Sequence, residues 1–143
     1  MIACTVRLAE HLDAEAALAL ARDFATSFVV DSTAFSESFS TLLADPHACL
    51  LVAEQAGQVV GYLLGFEHLS FYANGPVAWV EEITVSTYHR RRGIGRLLMQ
   101  GFEGWAATRG ARLVALATRR AASFYQALGY EESASYFRKL LVE

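Results

Sequence analysis

The chain has 143 residues, 54% of them hydrophobic, and a formal net charge of −3, which suits one domain over 1–143 with a packed core. It holds no purely apolar run of about 18 residues, no leader-peptide pattern, no CxxC pair and no HExxH; a membrane protein, a secreted chain, a disulfide framework and a metal enzyme are therefore not expected, and a cytoplasmic location is. The charge is uneven: residues 1–88 carry two basic and eleven acidic side chains (−9), whereas residues 89–143 carry ten basic and four acidic (+6), which fits either an anionic partner at the second half and a cationic one at the first, or a solubility pattern with no partner.

"CTVRLA" reads as a first strand, and "LDAEAALALARDFA" has helical spacing with Asp13 as a candidate N-cap. "DSTAFSESFSTLLAD" predicts a second helix, ended by Asp45-Pro46. "ACLLVAEQAGQVVGYLLGFEHL" predicts two strands joined in a hairpin at Ala56-Gly57. "HLSFYANGP" is a polar-aromatic loop, either a wall of a substrate pocket or a plain hairpin loop. "PVAWVEEITVS" is a further strand. Residues 93–109 read as a helix, "ARLVALAT" as a short buried strand, and residues 119–128 as a helix ended by Gly129. "YEESASYFRKLLV" is expected to close the chain as a strand or strand pair. The order βααβββαβαβ predicts an α/β fold with a mixed sheet.

"HRRRGIGRLLMQGF", residues 89–102, is the most informative stretch. A strand runs into three arginines, a tight glycine turn and a helix. The first turn of a helix presents unpaired N–H groups and a partial positive charge, and a glycine turn lets several amides face one phosphate group. Each exposed charge at a helix end contributes only about 0.3–1 kcal/mol, so such a seat needs several amides together. A Walker loop is excluded because GK[ST] is missing. A dinucleotide GxGxxG is excluded because position 98 is Leu98. Nucleic acid fits poorly, since the chain is acidic and lacks an aromatic-basic platform.

The segment from Val85 to Gly95, strand-V-x4-R-x-x-G-x-G-helix, resembles the acetyl-CoA signature Q/R-x-x-G-x-G/A of the GNAT superfamily of N-acetyltransferases. "RRAASFYQALGYEESASYFRKLL" resembles the C-terminal block of that family. The resemblance is strong from about Trp79 onward and looser before it. It implies a GNAT-like fold with about four helices and a sheet of six to seven strands, splayed at a cofactor slot. It implies that the backbone around Arg90, Arg91, Arg92, Gly93, Ile94, Gly95 and Arg96 cradles the pyrophosphate of acetyl-CoA. It also implies that Ile83, Thr84 and Val85 pair with the pantetheine arm. Thr118 stands where the family often has an asparagine that contacts the cofactor. Many relatives dimerise, which leaves a homodimer open.

Acetyl transfer to an amine poses two proton problems. An alkylamine with a pKa near 10.4 is almost wholly ammonium at pH 7, and only the neutral form attacks. A carboxylate can take that proton, and an acid such as a tyrosine can supply one to the departing thiolate. Glu81 and Glu82 lie just before the cofactor segment. Strand alternation predicts that only one of them faces the slot. Glu81 is the first choice for the base, with Glu82 holding the amine; the reverse assignment and a solvated pair stay open. The resemblance makes Tyr125 the general acid, against a plain packing role. Cys49 is a weak candidate for an acyl relay. The expected function is transfer of acetyl from acetyl-CoA to a primary amine of a small molecule or peptide, with no metal, nucleic acid or membrane. The alternatives are a non-catalytic CoA-binding module and a protein N-terminal or lysine acetyltransferase.

Overall fold

A computed structural model describes residues 3–142. The elements run β1 (Cys4–Leu8), α1 (Ala14–Phe24), α2 (Ser32–Ala44), β2 (Ala48–Gln55), β3 (Gln58–Ser70), β4 (Gly75–Val85), α3 (Ile94–Thr108), β5 (Val114–Leu116) and α4 (Ala122–Ala127). They form one mixed sheet in the order β1-β2-β3-β4-β5, antiparallel except for the parallel β4–β5 pair. The parallel pair needs a crossover, and α3 supplies it. The β2–β3 turn is Ala56-Gly57 with φ of 52° and 75°. Two positive φ values suit the right-handed twist of a two-residue hairpin.

β2 is apolar without a break from Cys49 to Ala53 because both faces of the sheet are covered. On one face Leu98, Met99 and Phe102 of α3 pack against Leu51, Ala53, Leu63 and Val80. On the other, Ala17, Leu20 and Ala21 of α1 and Phe39 of α2 pack against Leu50, Val52 and Tyr62. Gly65 on β3 lets the fully buried ring of Phe102 lie against the strand: a Cβ there would stand 2.3 Å from a ring carbon. Gly65→Ala is expected to destabilise the fold by about 1–3 kcal/mol through overpacking, read from a denaturant midpoint.

Three sequence expectations are corrected. The sheet has five strands among the described residues, not six to seven, and residues 131–142 form no strand and are exposed throughout. Apolar residues fall there in adjacent pairs, Tyr136-Phe137 and Leu140-Leu141, so no register would put all of them on one buried face. The last helix covers Ala122–Ala127 rather than 119–128. Asp13 stands at the start of α1 but caps nothing in it. Its carboxylate turns back to the Arg7 guanidinium at 2.8 and 2.9 Å and accepts the Glu10 N–H at 2.7 Å. Asp31 is the true cap of α2, accepting from the Ala34 N–H at 2.8 Å.

The Arg7 hydrogen bonds hold the Asp13 carboxyl below its ordinary value of 3.8. The pair therefore stabilises the fold fully above that value, and the contribution is lost as pH falls through the lower folded-state value. Asp13→Asn should cost about 2 kcal/mol at pH 7, the scale of a lost charged hydrogen bond. It should also flatten the fall in stability below pH 4, as followed by urea unfolding.

Candidate active site

β4 pairs with β3 along its whole length, but with β5 only at Ala78, Trp79 and Val80. Beyond Val80 its outer edge meets no strand among the described residues, so the sheet splays there. The ladder between β3 and β4 also slips at this point: Gly65 opposes Val80, Leu64 opposes Glu82, and Glu81 is the extra residue of a β-bulge. The bulge overturns the expectation that only one of the two glutamates can face the slot. Both line one cleft. Glu81 is exposed and accepts from the Trp79 indole N–H at 2.9 Å. Glu82 is half-buried, and its Oε1 accepts from the Tyr62 hydroxyl at 2.6 Å. Tyr62 is 4% exposed and stands opposite Thr84, diagonal to Glu82 on the same face. Burial and the Glu82 carboxylate together push its phenol well above the ordinary tyrosine value.

The cleft has a volume of about 1010 Å³ and passes through the splay. One wall is the connection between α1 and α2, with Phe24 to Asp31. The other is the stretch from Leu116 to Ala121 with Tyr125 of α4. Tyr125 is 8% exposed, packed edge-on to Phe124 and Tyr130 with ring centroids 4.9 and 6.0 Å away. Burial raises its pKa, so the phenol holds its proton at neutral pH. No other described residue hydrogen-bonds its hydroxyl. Thr118 lines the cleft, and its Oγ1 accepts from the Ala121 N–H at 3.0 Å, which shapes the turn into α4. Cys49 lies under α3, off the cleft, and burial pushes its thiol up to about 12. A thiol so hard to ionise is a poor nucleophile.

At the open end of β4 the chain turns into α3. Arg91 and Gly93 take positive φ values of 63° and 80°. The first bond of the helix runs from the Leu97 N–H to the Gly93 carbonyl, so the N–H groups of Gly93, Ile94, Gly95 and Arg96 precede the helical ladder. No side chain caps them. Arg91, Arg92 and Arg96 are exposed around this turn, whereas Arg90 donates its Nε to the Val85 carbonyl at 3.0 Å and pins the turn to the strand. Ile94 is buried and anchors the helix in the core. At Gly95 a Cβ would stand 3.2 Å from the Phe124 ring, so this glycine also lets α4 approach.

Of the sequence-predicted site residues, the fold brings Glu81, Glu82, Ile83, Thr118 and Tyr125 to the cleft. Thr84 is buried beneath it, and Val85 leads from the cleft strand to the arginine turn. Sequence reasoning missed Tyr62, Trp79 and the α1–α2 connection. Tyr62 sits inside an apolar run that reads as core, and only the register with β4 gives its hydroxyl a partner. The loop at 71–74 is a hairpin tip and contributes nothing to the cleft, with Phe71 and Tyr72 exposed. Among the described residues no cluster could hold a metal ion, and no helix is long and apolar enough to cross a membrane.

The sequence profile of the Acetyltransferase (GNAT) family matches residues 14–130. The aminoglycoside N(6')-acetyltransferase type 1 of Acinetobacter haemolyticus is 31% identical over 107 residues, covering 68% of this chain and 74% of that protein. The N-acetyltransferase family 8 member 3 of Rattus norvegicus is 29% identical over 101 residues, covering 68% of this chain but only 44% of the rat protein. The fold superposes on glucosamine-6-phosphate N-acetyltransferase from Arabidopsis thaliana with a TM-score of 0.87 at 16% identity, covering 98% of this chain and 99% of that one. It superposes on the aminoglycoside N-acetyltransferase AAC(6')-Iy, solved in complex with CoA, with a TM-score of 0.84 at 22% identity over 97% and 96% of the two chains. With the family profile matched from α1 to the turn after α4, and with a splayed sheet leading into an uncapped, arginine-ringed helix start, the chain belongs to the GNAT family of acetyltransferases.

Proposed function

We propose that this protein transfers an acetyl group from acetyl-CoA to a primary amine by direct attack, with Glu82 as the base and Tyr125 as the acid. The observation that carries the reading is the single cleft that joins both glutamates and Tyr125 at the unpaired edge of β4. The residues suit acetyl-CoA. The free edge at Ile83–Val85 can accept an extended pantetheine arm, and the open amides of Gly93–Arg96 with Arg91, Arg92 and Arg96 can hold a pyrophosphate. Arg90 serves that site indirectly, by fixing the turn.

Acetyl-CoA supplies the activated acetyl thioester. The acceptor enters as an ammonium ion and gives one proton to the Glu82 carboxylate. Glu81, exposed at the mouth, holds the incoming cation. Tyr125 gives its proton to the sulfur as the carbon–sulfur bond breaks. The second proton, shed when the nitrogen becomes an amide, restores the phenol. Cys49 has no part, since it is buried off the cleft. Glu82 is preferred to Glu81 as base because it is more buried and its partner, Tyr62, is a buried residue of the neighbouring strand, whereas Glu81 is exposed and bonds only Trp79 of its own strand.

Thiol release should be measured with acetyl-CoA against benzylamine, an α,ω-diamine, a hexosamine, an aminoglycoside and a lysine-containing peptide. Turnover of a small amine supports the reading. Turnover of the peptide alone would make this a protein acetyltransferase, and acetyl-CoA binding without any turnover would favour a non-catalytic CoA-binding module. Binding is tested separately by calorimetry. Arg91→Glu with Arg92→Glu should weaken acetyl-CoA by at least about tenfold, the scale of one lost charged hydrogen bond, and leave binding of an acetyl-pantetheine fragment unchanged. Equal weakening of both ligands would remove the pyrophosphate from this turn.

A further inference from the structure

Tyr62 belongs to no part of the chemistry described so far, yet its hydroxyl is the one polar atom it carries into a buried site, and it is spent on a cleft carboxylate. We infer that Tyr62 is a positioning residue, which holds Glu82 by Oε1 so that Oε2 is presented to the acceptor nitrogen. The inference rests on the reading of Glu82 as the base.

Three observations carry it. The bulge at Glu81 brings Glu82 onto the face of the sheet where Tyr62 lies, diagonal to it across the β3–β4 ladder. The Tyr62 ring is itself fixed, packed with Leu50, Val52, Ala17 and Phe39 in the core under α1 and α2. The hydrogen bond is short, 2.6 Å, and leaves Oε2 without a described protein partner. A phenol pushed upward by burial stays a donor across the working pH range and never competes for the amine proton. A glutamate side chain otherwise samples several rotamers, and a base displaced by about 1 Å can lose much of its effect. Glu81 has no such support: its one partner, the Trp79 indole, is on its own strand and at the exposed mouth.

Other charged and titratable groups face the same cleft: Glu81 and Asp31 on the acidic side, Arg119, Arg120 and Arg138 on the basic side, and Tyr125 from α4. None of them hydrogen-bonds the Glu82 carboxylate. A fall in kcat with an unchanged KM for acetyl-CoA is therefore the readout for the Tyr62 contact.

The test uses the full chain, acetyl-CoA and whichever amine of the panel turns over fastest. Tyr62→Phe keeps the ring and removes the hydroxyl. It should lower kcat about tenfold and leave the KM for acetyl-CoA unchanged. Added to Glu82→Gln, it should cost nothing further, because the group it positions is gone. Glu82→Asp keeps the carboxylate but draws it back from the hydroxyl; it should reproduce the Tyr62→Phe loss and supplies the same reading should the phenylalanine variant fold poorly. Glu103→Gln touches a half-buried tyrosine–carboxylate pair, Tyr130 to Glu103, outside the cleft, and should leave kcat unchanged. A normal kcat in Tyr62→Phe, or an equal further loss on top of Glu82→Gln, would overturn the inference. Full activity in Glu82→Gln is a different failure: it removes Glu82 as base and leaves the fold and the CoA site untouched.

Discussion

Tyr125→Phe is expected to lower turnover by about 10²-fold while the fold and acetyl-CoA binding stay near normal. The substitution keeps the ring that packs on Phe124 and Tyr130 and removes only the hydroxyl. That hydroxyl bonds no other described residue, so its loss strands no buried partner and the melting temperature should hardly move. A tyrosine that only packs would leave both turnover and the melting temperature near normal, because the phenylalanine ring keeps every contact. The identity of the leaving group then separates proton donation from positioning. The thiol of CoA has a pKa near the ~8.5 of a cysteine thiol and benefits from an acid as it departs. An acetylated nitrothiophenol releases a far more stable thiolate and needs less help. The phenylalanine variant should therefore lose much less with that donor, measured as initial rates with the same amine. An equal loss with both donors would reassign Tyr125 to positioning.

Glu82→Gln should cost about 10²-fold in kcat at pH 7, and the deficit should shrink as pH rises toward the pKa of the acceptor. The rescue follows from the amine: at pH 7 roughly one alkylamine molecule in a few thousand is neutral, and each pH unit raises that fraction tenfold. Glu81→Gln should behave differently. An exposed carboxylate at the mouth attracts the cation without taking its proton, so the acceptor KM should rise several-fold at low salt and kcat should change little. The increase should fade at high ionic strength. Comparison of both variants over a pH series of kcat and KM decides between the two carboxylates; kcat loss in Glu81→Gln alone would reverse the assignment.

The parts of this site that were legible in the sequence are those set by local chemistry. The turn from Val85 to Arg96 is one: arginines, two glycines and an amphipathic start fix a strand end and a helix start within a dozen residues, and β4, the turn and α3 stand where the pattern puts them. The Ala56-Gly57 hairpin is another, because a two-residue loop allows few backbone solutions. The bulge was not legible. It is a property of two strands in register, and nothing in "VEEITV" says that Glu81 will lose its opposite number. Alternation alone therefore separated two carboxylates that the sheet brings together. The missing final strand has a similar cause. "YEESASYFRKLLV" has the apolar content of a strand, but its adjacent apolar pairs suit no one-sided ladder. Tyr62 was hidden for the reverse reason, since a tyrosine amid Val59, Val60, Leu63 and Leu64 looks like packing until its diagonal neighbour is known.

The tail beyond Tyr130 is joined to the rest differently from any strand. Tyr136 stacks on Trp79 with ring centroids 6.4 Å apart, and Arg138 donates to Ser27 Oγ at 3.2 Å. Trp79 is the residue that holds Glu81, and Ser27 belongs to the opposite wall of the cleft. The tail thus touches both β4, at Trp79, and the α1–α2 wall of the cleft, at Ser27, while sharing no backbone ladder with the sheet. A change in its side chains alters the contacts to Trp79 and to Ser27 of the cleft wall and leaves the folding core untouched. In a laboratory lineage selected on a new amine, sequence can drift there faster than anywhere else around the cleft. Gains in acceptor range should accumulate in residues 131–142 before they reach β4.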